Sequence, residues 1–344
     1  MSTPPISVVF DTNSYRTLVE DAKMYKVPTI VKELKELEKQ KNIKALGPLI
    51  VAMEMLSHLA DMPKGRHYKE CLRGIRAMAL HCSEGNLDSF WKRLVSCYKV
   101  IRKLPDPTLE PRIIAQPVLQ YAQLFFNATI PDKQNENENI ASVVRDFGRC
   151  WWYARRFHSR TSNFTNIKNM LTAKELEFAN DVENGINAAK ADIRSKKPTI
   201  TDSQLRTDLI LSLNSAPTRN LTAIGIIAAV GYHLNSPLLA IPIEIQKRGQ
   251  ALNRVFPLAA GFRCWVNKKV VEDSIDIKSR ASQRKRWNWI WDEQVAMLIS
   301  HSTLNQGEVI LVTGDTDLQD CIKAFGFATK VMNLVDYYSF LKSP

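Results

Sequence analysis

Residues 307–321, GEVILVTGDTDLQDC, decide the fold. Residues 309–312 (VILV) form an unbroken apolar run. A run without alternation reads as a strand buried on both faces, as in a parallel sheet. Thr313 and Gly314 end it, Asp315 and Asp317 follow, and residues 318–325 carry a helical pattern. Open parallel α/β sheets bind ligands beyond the carboxyl ends of their strands. Two carboxylates placed there repel each other unless a proton or a cation joins them. The plainer role for either aspartate is to cap the helix that follows.

The arrangement recurs near the start of the chain. SVVFDTNSY, residues 7–15, is again an apolar strand closed by an acid, Asp11, with Asn13 or Ser14 as a candidate helix cap. If the two strands are neighbours in one parallel sheet, Asp11 and Asp315 meet. Carboxylate oxygens and water suit Mg²⁺ or Mn²⁺. Two further acids fit the pattern. LGPLIVAMEMLSHL places Glu54 after a strand expected over residues 46–51, and WNWIWDEQVAMLIS places Asp292 at the start of a helix expected over 292–300. A carboxylate at a helix start is most often a cap or a dipole partner, so the weight rests on four acids recurring at element ends. A fourth strand is expected over residues 328–332 (ATKVM).

The long middle of the chain reads as helical. Helices are expected over residues 73–82, 87–101, 140–157, 172–195 and 202–213, with breaks at LPDPTLEP (104–111) and PDKQNENEN (131–139). Helix is also expected over 30–40, where Glu33, Glu36 and Glu38 alternate with Lys32, Lys35 and Lys39 as a solvated face. The most apolar stretch, residues 221–232 (LTAIGIIAAVGY), is too short to span a bilayer and reads as a buried helix. The N-terminal residues have neither a basic region nor a long apolar core, so no secretory signal is expected. The six cysteines form no CxxC pair, which excludes the commonest zinc spacings and points to reduced thiols in a cytoplasmic protein.

FDTN at residues 10–13, the run Met53, Glu54, Met55, Leu56, the WD at 291–292, LVTGDTDL at 311–318 and KVMNLVDYYSFL at 330–341 together resemble the PIN-domain nucleases. The resemblance covers residues 1–66 and 287–344. It implies a PIN-like α/β/α sandwich with a mainly parallel sheet, split by an all-helical insertion at 67–286. It also implies a metal-dependent endoribonuclease acting on RNA, or on DNA, in which Asp11, Glu54, Asp292 and Asp315 hold Mg²⁺ or Mn²⁺. Asp317 would be an accessory acid, and Asn13 and Thr313 would supply hydrogen bonds behind the cluster. YKVPTIVKELKEL offers Glu33 as the second acid in place of Glu54. Glu54 is preferred because the run before it is longer and more apolar, whereas Lys32 interrupts the other. His58 follows Glu54 by one helical turn, and a core or surface role is the simpler reading for it.

Lys+Arg exceeds Asp+Glu by 12, which favours a polyanionic partner, nucleic acid before membrane. The segment KSRASQRKRWNWIW, residues 278–291, abuts Asp292 and holds Arg280, Arg284, Lys285, Arg286 and Trp287. Its cations suit phosphates and its indoles suit unpaired bases. A solvated charge run leading into core tryptophans is the equal alternative. Arg149, Arg155 and Arg156 form a second candidate groove. The insertion would select substrate, bind an inhibitor or mediate assembly, and a toxin-like, defence or RNA-processing role would suit such a nuclease. Two other functions compete. One is a protein that binds RNA or a partner without catalysis. The other is a phosphatase resembling the haloacid-dehalogenase group, imitated here by Gly314, Asp315 and Asp320. That chemistry needs an acid two residues after its nucleophile, and Asn13 stands there.

Overall fold

The computed structural model describes residues 6–48, 50–51, 54–55, 58, 65–82, 164–233, 235–299 and 308–344. It divides into two compact units, residues 1–117, 131–169 and 301–344, and residues 118–130 and 170–300.

The first unit is built on a four-stranded parallel sheet: β1 (Ile6–Phe10), β2 (Ile43–Leu46), β3 (Val309–Val312) and β4 (Val331–Met332), in the order β2-β1-β3-β4. β1 pairs with β3 from Ser7↔Val309 to Phe10↔Val312, and with β2 from Ile6↔Ile43 to Val9↔Leu46. All of β3 and nearly all of β1, Ser7 included, are buried, as befits central parallel strands. A strand expected over 46–51 is displaced. Strand ends at Leu46, and residues 50 and 51 are already helical. The segment IKAL supplies the alternation, with Ile43 and Ala45 buried, while Pro48 has no amide hydrogen to give a ladder.

Helices α1 (Thr12–Leu18), α2 (Val27–Gln40) and α3 (Arg66–Cys82) complete the N-terminal part, and α3 packs against both others. In α2, Val27, Val31, Leu34 and Glu38 share the buried face. Glu38 is therefore not part of a solvated charge face. It accepts from Tyr337 Oη at 2.8 Å and pairs with His81 Nε2 at 2.8 Å, and His81 Nδ1 lies 3.1 Å from Tyr15 Oη. These partners satisfy a carboxylate that would otherwise be costly to bury. Phe10 packs its ring against Tyr15, His81 and Tyr337 at 5.0–5.4 Å between centroids. α10 (Thr316–Ala324) and α11 (Leu334–Lys342) are numbered after the second unit's helices and follow β3 and β4.

The second unit is helical in its described residues: α4 (Phe164–Lys196), α5 (Asp202–Leu213), α6 (Ala216–His233), α7 (Pro242–Val255), α8 (Pro257–Glu272) and α9 (Gln283–Ile299). The first residues of α4 cluster with the first unit. α5 begins at a capping box formed by Thr201 and Gln204. α6 is not buried all round, since Leu221 and Tyr232 are 67% and 73% exposed. Gly249 lets α7 approach α6 closely, because a Cβ there would stand 2.6 Å from the Cα of Ile224. The unit boundaries differ from the sequence expectation of 66/67 and 286/287. α3 clusters with the sheet, and all of α9 with the second unit. The helices expected at 87–101 and 140–157 lie outside the described residues.

Candidate acidic site

β1 connects to β2 on one side of it, and β3 connects to β4 on the other. The strand order therefore reverses between β1 and β3, and the crevice beyond their carboxyl ends is the position where open α/β sheets hold ligands. Asp11 and Asp315 stand there. Asp11 follows the last residue of β1, and its amide donates to Val312 O at 3.1 Å. One carboxylate oxygen of Asp11, Oδ1, accepts from Ser14 N at 2.6 Å and so caps α1. The other, Oδ2, accepts from Thr313 Oγ1 at 2.5 Å. That same threonine hydroxyl accepts from Asp315 N at 3.0 Å. Asp315 caps α10 through Leu318 N at 2.9 Å. Each aspartate is thus both a helix cap and a member of the cluster, because a carboxylate has lone pairs enough for both.

Glu54 joins them from the helical residues after β2. Its Oε2 accepts a short hydrogen bond from Thr12 Oγ1, at the first position of α1. Burial raises the Glu54 carboxyl to about 8, and the charges of Asp11 and Asp315 add to the rise. The Thr12 hydrogen bond and the positive charge of Arg16 work against it. Asp11 is also raised, first by burial and in smaller part by Asp315, against its bonds to Thr313 and Ser14. Burial raises Asp315 too, with Asp317 contributing. Glu54 therefore feels the charges of Asp11 and Asp315, and Asp11 feels that of Asp315, although the three come from separate elements. Raised carboxyls gathered in a crevice make it a candidate functional site.

Other sequence-expected residues fall differently. Glu33 is exposed on α2, whereas Glu54 lies within reach of the charges of Asp11 and Asp315. Asn13 is exposed, and Asp317 is half-buried beside Asp315. His58 stacks on His67, with 6.1 Å between the ring centroids. Thr12 carried no expectation. Its signal was the FDTN motif itself, where it lies between the acid and the expected hydrogen-bonding Asn13. Asp292 is in the middle of α9, not at a helix start, and it belongs to the second unit. The true start of α9 is prepared upstream by Ser279, which caps a short 3₁₀ turn, Arg280–Ser282.

The basic segment divides. Arg280, Arg284 and Lys285 are exposed. Arg286 is buried: Nε donates to Glu175 at 2.8 Å and Nη1 donates to the carbonyls of Ile277 and Ser279. It is a structural cation, which removes it from any nucleic-acid surface. Trp289 and Trp291 are core residues, Trp289 against Trp265 and Trp291 against the half-buried Trp287. Arg149, Arg155 and Arg156 lie outside the described residues.

The donor set at the sheet ends is all oxygen, the chemistry that Mg²⁺ and Mn²⁺ prefer. Both Asp11 oxygens retain a lone pair beyond their protein bonds. Among the described residues, no three His, Cys, Asp or Glu side chains are gathered tightly enough to enclose a metal as they stand. Also among the described residues, no helix is long and apolar enough to cross a membrane. No family model, no curated protein and no solved structure matches this chain.

Proposed function

We propose that this protein is a metal-dependent endoribonuclease of PIN-like type, with Asp11, Glu54 and Asp315 as the acids that hold Mg²⁺ or Mn²⁺. The observation that carries the reading is the convergence of these three acids at the crevice where the strand order reverses. When bound, such a cation supplies charge stabilisation for the oxygens that become negative as a phosphodiester is cut. The chain's own residues hold the acids ready. Thr313 ties Asp11 to the end of β3, Ser14 fixes the other Asp11 oxygen, and Leu318 N orients Asp315. Near neutral pH the Glu54 carboxyl keeps its proton, so cation and proton compete for that oxygen.

RNA is the proposed substrate, bound in part through Arg280, Arg284 and Lys285, with the second unit selecting substrate or a protein partner. The proposed compartment is the cytoplasm. The test is cleavage of mixed RNAs by the purified chain, with Mn²⁺ or Mg²⁺ and with chelator. Metal-dependent products are expected. Asp11→Asn and Asp315→Asn should each abolish them while RNA affinity is kept or rises, because an acidic pocket repels phosphate until a cation neutralises it. RNA binding with no cleavage at any divalent ion would leave a binding protein instead. Turnover of small phosphomonoesters through an aspartyl intermediate would point to the phosphatase.

A further inference from the structure

We propose that Thr12 is the positioning residue of Glu54, its hydroxyl holding the carboxylate in the orientation that takes a divalent cation. The inference rests on the metal-dependent reading of the acidic site and adds a residue to it. Thr12 is buried, and its hydroxyl donates to Glu54 Oε2 across 42 positions of sequence. A threonine inside a helix usually turns its hydroxyl back to the carbonyl three or four residues before it. As the first residue of α1, Thr12 has no helical carbonyl behind it. Its hydroxyl is therefore available to a distant acceptor. Branching at Cβ limits χ1, so the donor is held still. Glutamate has three side-chain torsions to restrain, and a fixed donor on one oxygen removes most of that freedom.

The pattern is crosswise. Thr12 adjoins Asp11 in sequence but serves Glu54, and Thr313 lies two residues before Asp315 but serves Asp11. Each threonine thus ties its own acid's element to another acid. Hydroxyls and carbonyls behind a metal's ligands typically change its affinity 10–100-fold when removed.

The experiment uses the full chain and reads Mn²⁺ binding without substrate, from the electron paramagnetic resonance signal of the free ion. Thr12→Val keeps shape and loses the hydroxyl, and Thr12→Ser restores the hydroxyl. Thr12→Val should weaken Mn²⁺ binding by about tenfold or more, and Thr12→Ser should stay within about threefold of the parent. In a Glu54→Gln background, Thr12→Val should have no further effect, because the residue acts through Glu54. Equal Mn²⁺ affinity in parent and Thr12→Val overturns the proposal while the metal reading stands. A further loss in the Glu54→Gln background also overturns it, since the effect would then be general. A parent that binds no Mn²⁺ overturns both. Should Thr12→Val melt well below the parent, the comparison of Thr12→Ser with Thr12→Ala decides on the same criteria.

Discussion

Glu54 carries the clearest pH signature of any residue here. Its carboxyl is raised from 4.5 to about 8 in the folded, metal-free chain, chiefly by burial. A folded state that holds a proton more tightly than the unfolded state is favoured at low pH. The contribution is complete below about 4.5 and is lost as pH rises to about 8. In chelator, the melting temperature should therefore fall between pH 5 and pH 8. Glu54→Gln should flatten that fall and melt higher than the parent at pH 8. Added Mn²⁺ should reverse the order, stabilising the parent and leaving Glu54→Gln little changed. A parent whose melting temperature is level across this range would contradict the burial of that carboxyl. The longer apolar run that favours Glu54 over Glu33 in the sequence is not a strand, since strand ends at Leu46 and residues 50 and 51 are helical; the sequence points to Glu54 without showing how the fold reaches it. Thr12 was not legible, since a hydroxyl's partner depends on where a distant element brings its acceptor. Glu38 was misjudged for the same reason. Only His81 and Tyr337, from elsewhere in the chain, explain a carboxylate on the buried face of α2.

At the scale of single elements, α9 shows how a pattern misleads. The acid after the charge run and the tryptophans suggests a helix beginning at Asp292. Yet Trp287 and Trp291 are one helical turn apart, and the helix begins at Gln283. Arg284, Lys285 and Arg286 belong to its first turn, and Arg280 to the 3₁₀ turn before it. Arg286 faces inward and its neighbours face out, a distinction no charge count reveals. Two outcomes follow from that division. Arg286→Ala leaves Glu175 buried without its cation and should destabilise the chain by about 3–5 kcal/mol in a urea titration. Replacing Arg280, Arg284 and Lys285 together by alanine should leave stability within about 1 kcal/mol, as surface changes do. The same triple change should weaken RNA binding and reduce the slope of log affinity against log salt. An unchanged slope would show that these residues are only a solvated surface. The central strands were easier to read than α9, because four consecutive apolar residues closed by Thr-Gly, or three closed by Asp-Thr, admit few other structures. β2 was displaced by a few residues because Pro48 ends the ladder before the more apolar residues begin.

For the molecule as a whole, the sheet is assembled from the two ends of the chain, with β1 and β2 from one end and β3 and β4 from the other. Parallel pairing of distant strands is slow to form, because a long loop must close before any contact rewards it. The clamp from Thr313 to Asp11 spans 302 positions. During translation, at bacterial-like elongation speeds, the Asp11 end of the clamp would wait roughly 15–60 s for its partner to be made. A nascent chain therefore carries Asp11 and Glu54 but lacks the strand that joins them to Asp315. The acidic crevice is therefore assembled only after β3 has been made and paired with β1.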